Sequence, residues 1–195
     1  MRGRENRLFK TKDKGLMRLI LFLVLSFFLI TAGGCGYTSA SLLPPELDSI
    51  HVDNFVNKID PAGEVSDRRS GYSYRPGLEN DITRAVIDGY IFDGNLGIRT
   101  ADKAVLLLKG TLTDFRKFPL SYDNADNVEE FRIELSVDIE LLNNSTGKLM
   151  WRENGFTGQS SYTVTGPNAK TEATALTEAV NDLAQRIVER TIEAW

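Results

Sequence analysis

The stretch VEEFRIELSVDIELL, residues 128–142, alternates apolar and polar side chains with strict period two. Its apolar members are Phe131, Ile133, Leu135, Val137, Ile139 and Leu141. Successive side chains of a strand point to opposite faces of the sheet, so this pattern predicts a strand with one dry and one hydrated face. The fold therefore has to cover only one face of its sheet.

The flanking segments extend this strand into a sheet. Residues 143–147 (NNSTG) predict a hairpin turn, and residues 148–161 predict the returning strand. Upstream, residues 104–118 predict a long strand that ends in a turn at 119–127. A first strand is predicted over 48–56, whereas residues 96–99 could form a short extended piece.

Two segments have helical periodicity and can supply the cover. Residues 75–92 place apolar side chains at Leu78, Ile82, Ala85, Val86 and Gly89. Residues 168–194 do so at Ala173, Leu176, Val180, Leu183 and Ile187. The predicted fold class is α+β, a two-layer sandwich in the order β-α-β-β-β-α. It has a four-stranded, mostly antiparallel sheet with two helices on one face.

The amino terminus differs from the rest of the chain. Residues 1–34 hold seven basic and two acidic residues, a net charge of +5, whereas the remainder holds 16 basic and 25 acidic residues, a net charge of −9. The basic part precedes an apolar run over residues 19–30 and the small residues that follow it. This order is typical of a secretory signal peptide, and the run is shorter than the roughly 20 residues of a membrane-spanning helix.

Cys35 is the only cysteine of the chain and follows Gly33 and Gly34 directly. Small residues before a cysteine at the end of an apolar run resemble a lipobox, which implies cleavage before Cys35 and acylation of its sulfur. Gly36, in the place where an aspartate retains lipoproteins at the inner membrane of enteric bacteria, favours the outer membrane. We predict a signal peptide over 1–34, a lipidated amino terminus and linker over 35–47, and one α+β domain over 48–195.

Signals of catalysis are weak. The single histidine, His51, lies in the first predicted strand without an evident nucleophile, and the sequence contains no phosphate-binding loop or HExxH motif. Asp123, Asp126, Glu129 and Glu130 crowd one turn, but their spacing is not that of an EF-hand. We expect no catalytic residue, no metal site and no cofactor.

The charge balance and one basic cluster bear on binding. A net charge of −9 beyond the signal peptide argues against a nucleic-acid partner, whose phosphates need neutralisation. Arg116 and Lys117 close one predicted strand and Arg132 opens the next, so a hairpin would bring them to one tip. These three cations are candidates for contact with an anionic headgroup or a protein partner, although a solvated tip balanced by its own acids is the simpler explanation.

An ordered set of short motifs resembles the lipopolysaccharide-assembly lipoprotein family, LptE. The set begins with Cys35-Gly36-Tyr37 and continues through Ile50, Val52, Phe55 and Asn57, Pro76-Gly77-Leu78-Glu79, Gly110-Thr111-Leu112, Glu130-Phe131-Arg132 and Gly147-Lys148-Leu149-Met150-Trp151. The resemblance implies a non-enzymatic outer-membrane lipoprotein, anchored on the periplasmic side. It further implies a large β-barrel partner (LptD-like) that the lipoprotein plugs and helps to assemble, and possible contact with lipopolysaccharide.

Two other functions are compatible with a small tethered domain. A lipoprotein that docks on and activates a peptidoglycan synthase is the first alternative, but the linker before the first strand is short for reaching across the envelope. A hydrolase is the second, against which the missing nucleophile and base argue. Crosslinking from the hydrated face of the sheet would separate these hypotheses.

Overall fold

The computed structural model describes residues 43–59 and 76–193. The predicted signal peptide, Cys35 and most of the polar segment 57–74 lie outside the described residues. Residues Ser41–Trp195 form one compact unit. The elements described are, in chain order, β1 Ser49–Val52, β2 Val56–Asn57, α1 Leu78–Asp93, β3 Gly97–Ile98, β4 Leu106–Tyr122, β5 Val128–Asn143, β6 Leu149–Thr163 and α2 Glu172–Ile192.

The strands form one mixed sheet in the order β3-β1-β4-β5-β6, with β2 also pairing with β4. The α+β class with two helices is confirmed, but the predicted count of four strands is wrong, because the described sheet has six. Three pairings are parallel, those of β1 with β3, β1 with β4 and β2 with β4. Residues 96–99, expected as a short extended piece, contain β3, but β2 and β3 are too short to carry the periodicity that would predict them as paired strands.

The predicted first strand over 48–56 divides into β1 and the start of β2. Between β1 and β2 the backbone still runs beside β4, since the Asp53 N–H donates to the Leu108 carbonyl at 2.9 Å. Between the strands, the Phe55 side chain turns into the core and its N–H donates to the Thr83 hydroxyl of α1 at 2.9 Å. Burial of this one ring interrupts the ladder.

The β4–β5 hairpin is longer than the sequence pattern predicted. Residues 119–122 belong to β4 and not to the turn, because the 16-residue β5 needs a partner along its full length. Pro119 pairs with Phe131 and Tyr122 with Val128, with register shifts on both sides of Ser121. The turn is therefore confined to residues 123–127.

Both helices lie on one face of the sheet and bury a continuous core. In α1 the buried side chains are Leu78, Ile82, Thr83, Val86 and Tyr90. Helix α2 begins later than predicted, at Glu172, because the Thr171 hydroxyl accepts the Thr174 N–H at 3.1 Å and caps the helix. Ala173 is exposed, and Ala175 and Ala179 face the core instead. Within this part of the chain neither helix combines the length and apolar character needed to span a bilayer.

Two glycines allow close approach between the layers. A Cβ at Gly110 would overlap the Phe55 ring, and a Cβ at Gly158 would lie 2.6 Å from the backbone nitrogen of Leu183 in α2. The helix therefore rests almost directly on the backbone of β6. Because β6 is an edge strand, α2 also blocks edge pairing: the Gln159 N–H donates to the Asp182 carboxylate at 2.8 Å.

Candidate interaction surface

The face of β4, β5 and β6 turned away from the helices is a regular surface formed by three long paired strands. In β5, residues 133, 135, 137, 139 and 141 are fully buried under the helices, and the residues between them point the other way. We call this uncovered side the outer face. Its charged side chains are Lys109, Asp114, Arg116, Glu130, Arg132, Glu134, Asp138, Glu140 and Arg152.

Opposite charges face each other across the strands of the outer face. Lys109 lies opposite Glu140, and Arg116 lies opposite Glu134. Arg152 also lies opposite Glu140, at 2.8 Å between Nη2 and Oε1. Such exposed pairs contribute little stability individually. They do make the outer face evenly charged and well hydrated, so it suits a polar partner and not an apolar one.

A groove of about 530 Å³ crosses the outer face beside the β1–β2 connection. Its charged lining comprises three acidic and three basic side chains, Asp53, Asp138, Glu140, Lys58, Lys109 and Arg152. Sites for small hydrophobic ligands are predominantly apolar. The lining of the groove is not predominantly apolar and has no excess of one charge. The groove therefore suits contact with polar groups of a protein partner better than binding of an apolar ligand.

The structure separates the three cations that the sequence grouped at one tip. Arg116 and Arg132 lie on the outer face, where their partners in register are Glu134 and Phe118. Lys117 points to the helix-covered side. All three also lie within the strands and not at their ends, because β4 continues to Tyr122. Contact of these residues with lipopolysaccharide or a barrel stays a prediction.

Lys117 connects the sheet to the start of α2. Its Nζ donates to Glu172 Oε2 at 2.5 Å and lies 4.6 Å from the centroid of the Phe131 ring. Partial burial lowers the pKa of Lys117, but hydrogen bonds to Glu172 and Tyr162 outweigh that effect and leave the pKa above its usual value. A lysine with 18% of its side chain exposed and these partners acts as a structural link.

Arg116 and Arg132 present their charge differently. The Arg116 Nε lies 2.6 Å from Asp114 Oδ2 on the same strand. The Arg132 guanidinium lies over the Phe118 ring, 6.0 Å from its centroid. An arginine that rests on an aromatic face is pre-organised for planar, bidentate contact with a carboxylate or a phosphate.

The far end of the β4–β5 hairpin carries apolar groups that the sequence analysis did not single out. Leu120 and Tyr122 are exposed, and Val164 beyond β6 is exposed as well. On the helix side, the rings of Phe131 and Tyr162 stack with centroids 5.8 Å apart. The signal available in the sequence was the aromatic content of residues 115–131, which exceeds what a solvated turn requires.

The acidic turn is organised by Asp123. Its Oδ1 accepts the N–H groups of Ala125 and Asn127 at 2.8 and 2.9 Å. These bonds and the amide of Asn127 lower the pKa of Asp123. The carboxylate is thus engaged in shaping the turn. Over residues 43–59 and 76–193, no three acidic, histidine or cysteine side chains are grouped so that they could hold a metal ion.

His51 has a structural explanation. Its Nδ1 lies 3.0 Å from the Arg99 carbonyl oxygen, and its Nε2 lies 3.5 Å from Asp53 Oδ1. The first contact ties β1 to the residue that follows β3, and the second lies on the surface. Both ring nitrogens are therefore accounted for by neighbours within the sheet.

Solved structures with a similar fold come from several bacteria. Protein XCC0632 from Xanthomonas campestris matches with a TM-score of 0.50 and 10% identity, over 77% of this chain and 90% of that chain. Rare lipoprotein B from Shewanella oneidensis has a TM-score of 0.45 and 15% identity, over 75% and 95%. A minor lipoprotein from Acinetobacter baumannii has 0.46 and 12%, over 75% and 94%. No curated protein matches the chain.

These likenesses show a similar fold only, whereas the comparison with protein-family models identifies the family of the chain. The family model for lipopolysaccharide assembly, LptE, matches residues 47–191, which include every strand of the described sheet and all but the last residue of α2. That span is well over half of the chain. The resemblance found in the short motifs is therefore confirmed, and the chain belongs to the lipopolysaccharide-assembly lipoprotein family, LptE.

Proposed function

We propose that this protein is an outer-membrane lipoprotein, held by acyl chains on Cys35, that plugs and helps to assemble the β-barrel translocon for lipopolysaccharide. Its partner would be a large LptD-like barrel protein. It would act by binding and positioning, without catalysis or a cofactor. The observation that carries this proposal is the match of the LptE family to residues 47–191.

The outer face supports a role inside a barrel. The lumen of a transmembrane barrel is polar, whereas its lipid-facing side is apolar. A surface rich in paired charges can exchange its water for the polar side chains of a lumen wall at small cost, because several of its charges already have a partner of opposite sign. The balanced groove beside β1–β2 offers both donors and acceptors to that wall. The lining of this groove is too polar to bind an acyl chain.

The shape of the sheet supports the same role. Strand β4 has 17 residues, so at about 3.3 Å per residue the β4–β5 hairpin extends about 50 Å from the start of β4. β1 begins next to that start, since Ile50 pairs with Leu106. The start of β1 and the turn of the β4–β5 hairpin thus lie at opposite ends of β4. A domain held at one end by lipid is kept at high effective concentration near a membrane-embedded partner.

Site-specific photocrosslinking in cells tests the proposal. A photoreactive amino acid at Arg132 or Ser136 on the outer face is expected to crosslink to a barrel protein of several hundred residues. The matched control is Arg84, an exposed position of α1 on the other side of the domain, where we expect a weaker yield of the same product. Crosslinks only to a cell-wall synthase would replace the translocon with the alternative partner. Depletion of the protein should also leave the barrel immature.

A further inference from the structure

Ile91 and Phe92 form an exposed apolar pair at the end of α1. Phe92 is 94% exposed and Ile91 is 63% exposed, the two highest values among the large apolar side chains of the described chain. Single exposed apolar residues are common on soluble proteins. A phenylalanine with almost no protein contact beside a largely exposed isoleucine is different, because the fold gains almost nothing from the Phe92 side chain.

The pair lies at the end of the domain where the chain enters. Helix α1 ends at Asp93, is closed by Gly94 in a left-handed conformation, and leads within a few residues to β3. There the Gly97 N–H donates to the Asp48 carbonyl at 2.8 Å, one residue before β1. Five residues separate Phe92 from Gly97, which limits their separation to about 17 Å. Phe92 is therefore close to the start of β1.

A third exposed apolar side chain marks the same end. Leu149 opens β6 and pairs with Leu142 of β5, which in turn pairs with Leu107 of β4. Leu107 pairs with His51 of β1. Leu149 is 44% exposed. Apolar groups of both layers thus occur at the end where the amino-terminal chain arrives.

The length of that chain limits where this end can be if Cys35 is lipidated. Eight residues connect Cys35 to Leu43, a span of about 28 Å at full extension. Leu43 itself packs against the core, and the chain then turns through a hydrogen bond from the Leu47 N–H to the Pro44 carbonyl at 2.9 Å. A tether this short keeps the entry end of the domain near the lipid surface at all times.

We propose that Ile91 and Phe92 insert into the interface of the bilayer that holds the Cys35 anchor, as a second, non-covalent membrane contact. This inference rests on the lipid anchor of the proposed function and adds to it a lipid-binding site on the folded domain. Phenylalanine and isoleucine are side chains that peripheral proteins bury about 5–10 Å into the headgroup and acyl boundary. The contact would hold this end of the domain at the level of the lipid headgroups.

The charges around the pair specify which lipids matter. Asp88 and Asp93 flank it on α1, and Asp48 and Glu46 lie on the entering chain. Acidic neighbours give no attraction to anionic headgroups, which bind clusters of Lys and Arg. The contact is therefore apolar, and it should form on zwitterionic lipid and persist at high salt.

Fluorescence of the intact lipoprotein in vesicles tests this placement. The full chain is purified from membranes in detergent, with Phe92→Cys labelled by an environment-sensitive dye, and reconstituted into phosphatidylethanolamine–phosphatidylcholine vesicles. Tyr122→Cys is the matched control, because it replaces an aromatic residue that is 56% exposed at the far end of β4. Quenching by acyl-chain-labelled phospholipid should be at least about twofold stronger at position 92, given the expected depth of insertion.

The unsubstituted chain separates the two possible failures. An acylated Cys35 sulfur cannot take the dye, so labelling of the unsubstituted chain would show that the anchor is missing and would overturn both proposals. An unlabelled parent with equal, weak quenching at positions 92 and 122 would overturn the membrane contact alone. Protection of position 92 that appears only when a barrel protein or a second copy is added would also overturn it, in favour of a protein interface.

Discussion

Lys117 of β4 and Glu172 of α2 form an ion pair at 2.5 Å, although 55 residues separate them in the chain. The pair joins the middle of the long hairpin to the first turn of the last helix. Glu172 also lies where a helix amino terminus favours negative charge. Together with the Phe131 ring below Lys117, the pair fixes how α2 begins over the sheet.

Replacing Lys117 with Met should destabilise the domain by about 1–2 kcal/mol, because Glu172 and the Phe131 ring lose a partly buried cation. A double-mutant cycle with Glu172→Gln should show a coupling of about 1 kcal/mol in urea unfolding. Arg116→Met is the matched control on the adjacent residue of the outer face, and it should cost less than about 0.5 kcal/mol. Equal losses for Lys117 and Arg116 would contradict this assignment.

Gly158→Ala should lower the free energy of unfolding by about 1–3 kcal/mol, because the added Cβ would meet the backbone of Leu183 at 2.6 Å. The helix has to move away from β6 to admit it. Gly97→Ala is the control with the same substitution, since the added Cβ would lie at an ordinary distance of 3.5 Å from its nearest neighbour, the Asp48 carbonyl oxygen. Thermal or urea unfolding measures both. A change at Gly158 as small as the one at Gly97 would show that the two layers are not in close contact there.

Order in the turn at the tip of the β4–β5 hairpin should depend on pH through Asp123. Backbone and side-chain hydrogen bonds lower the pKa of Asp123 below its ordinary value of 3.8, so the contribution of the Asp123 carboxylate to the turn is complete above pH 3.8. The contribution is lost as the pH falls through the lower folded pKa. NMR shifts of the Ala125 and Asn127 amides should follow this transition below pH 3.8. In Asp123→Asn the same amides should show no such transition. If the transition remained in this variant, a group other than Asp123 would be the one that titrates.

Cys35→Ser should abolish acylation and leave an uncleaved or soluble form of the protein. The sulfur is the acyl acceptor, and an oxygen in its place does not enter the same reaction. Mass spectrometry of the membrane-extracted protein should find the lipid on the parent chain and none on the variant. A parent chain with an intact amino-terminal methionine would contradict the predicted signal peptide over 1–34.

Local patterns in the sequence were enough for the long elements. The alternation of Phe131 to Leu141 predicted β5 and its dry face, and the stripes through Ile82 and Leu183 predicted the two helices. These features are set by the periodicity of a strand or helix, which adjacent residues reveal without knowledge of their partners. The Cys35 motif and the ordered family motifs are likewise local, and with them the family could be recognised.

Only the tertiary structure decided which way Arg116 and Lys117 point. A register shift between Leu112 and Asp114 reverses the alternation of β4, so Lys117 faces the helices and Arg116 faces outward. A bulge of this kind depends on the partner strand. The apolar positions change from even (Leu112) to odd (Phe115) across Thr113, but the apolar Phe118 is even again, so the sequence pattern alone did not predict the direction of Lys117. The parallel pairings of β1 and the gathering of Phe92, Asp48 and Leu149 at one end are decided in the same way, because they join residues that are distant in the chain.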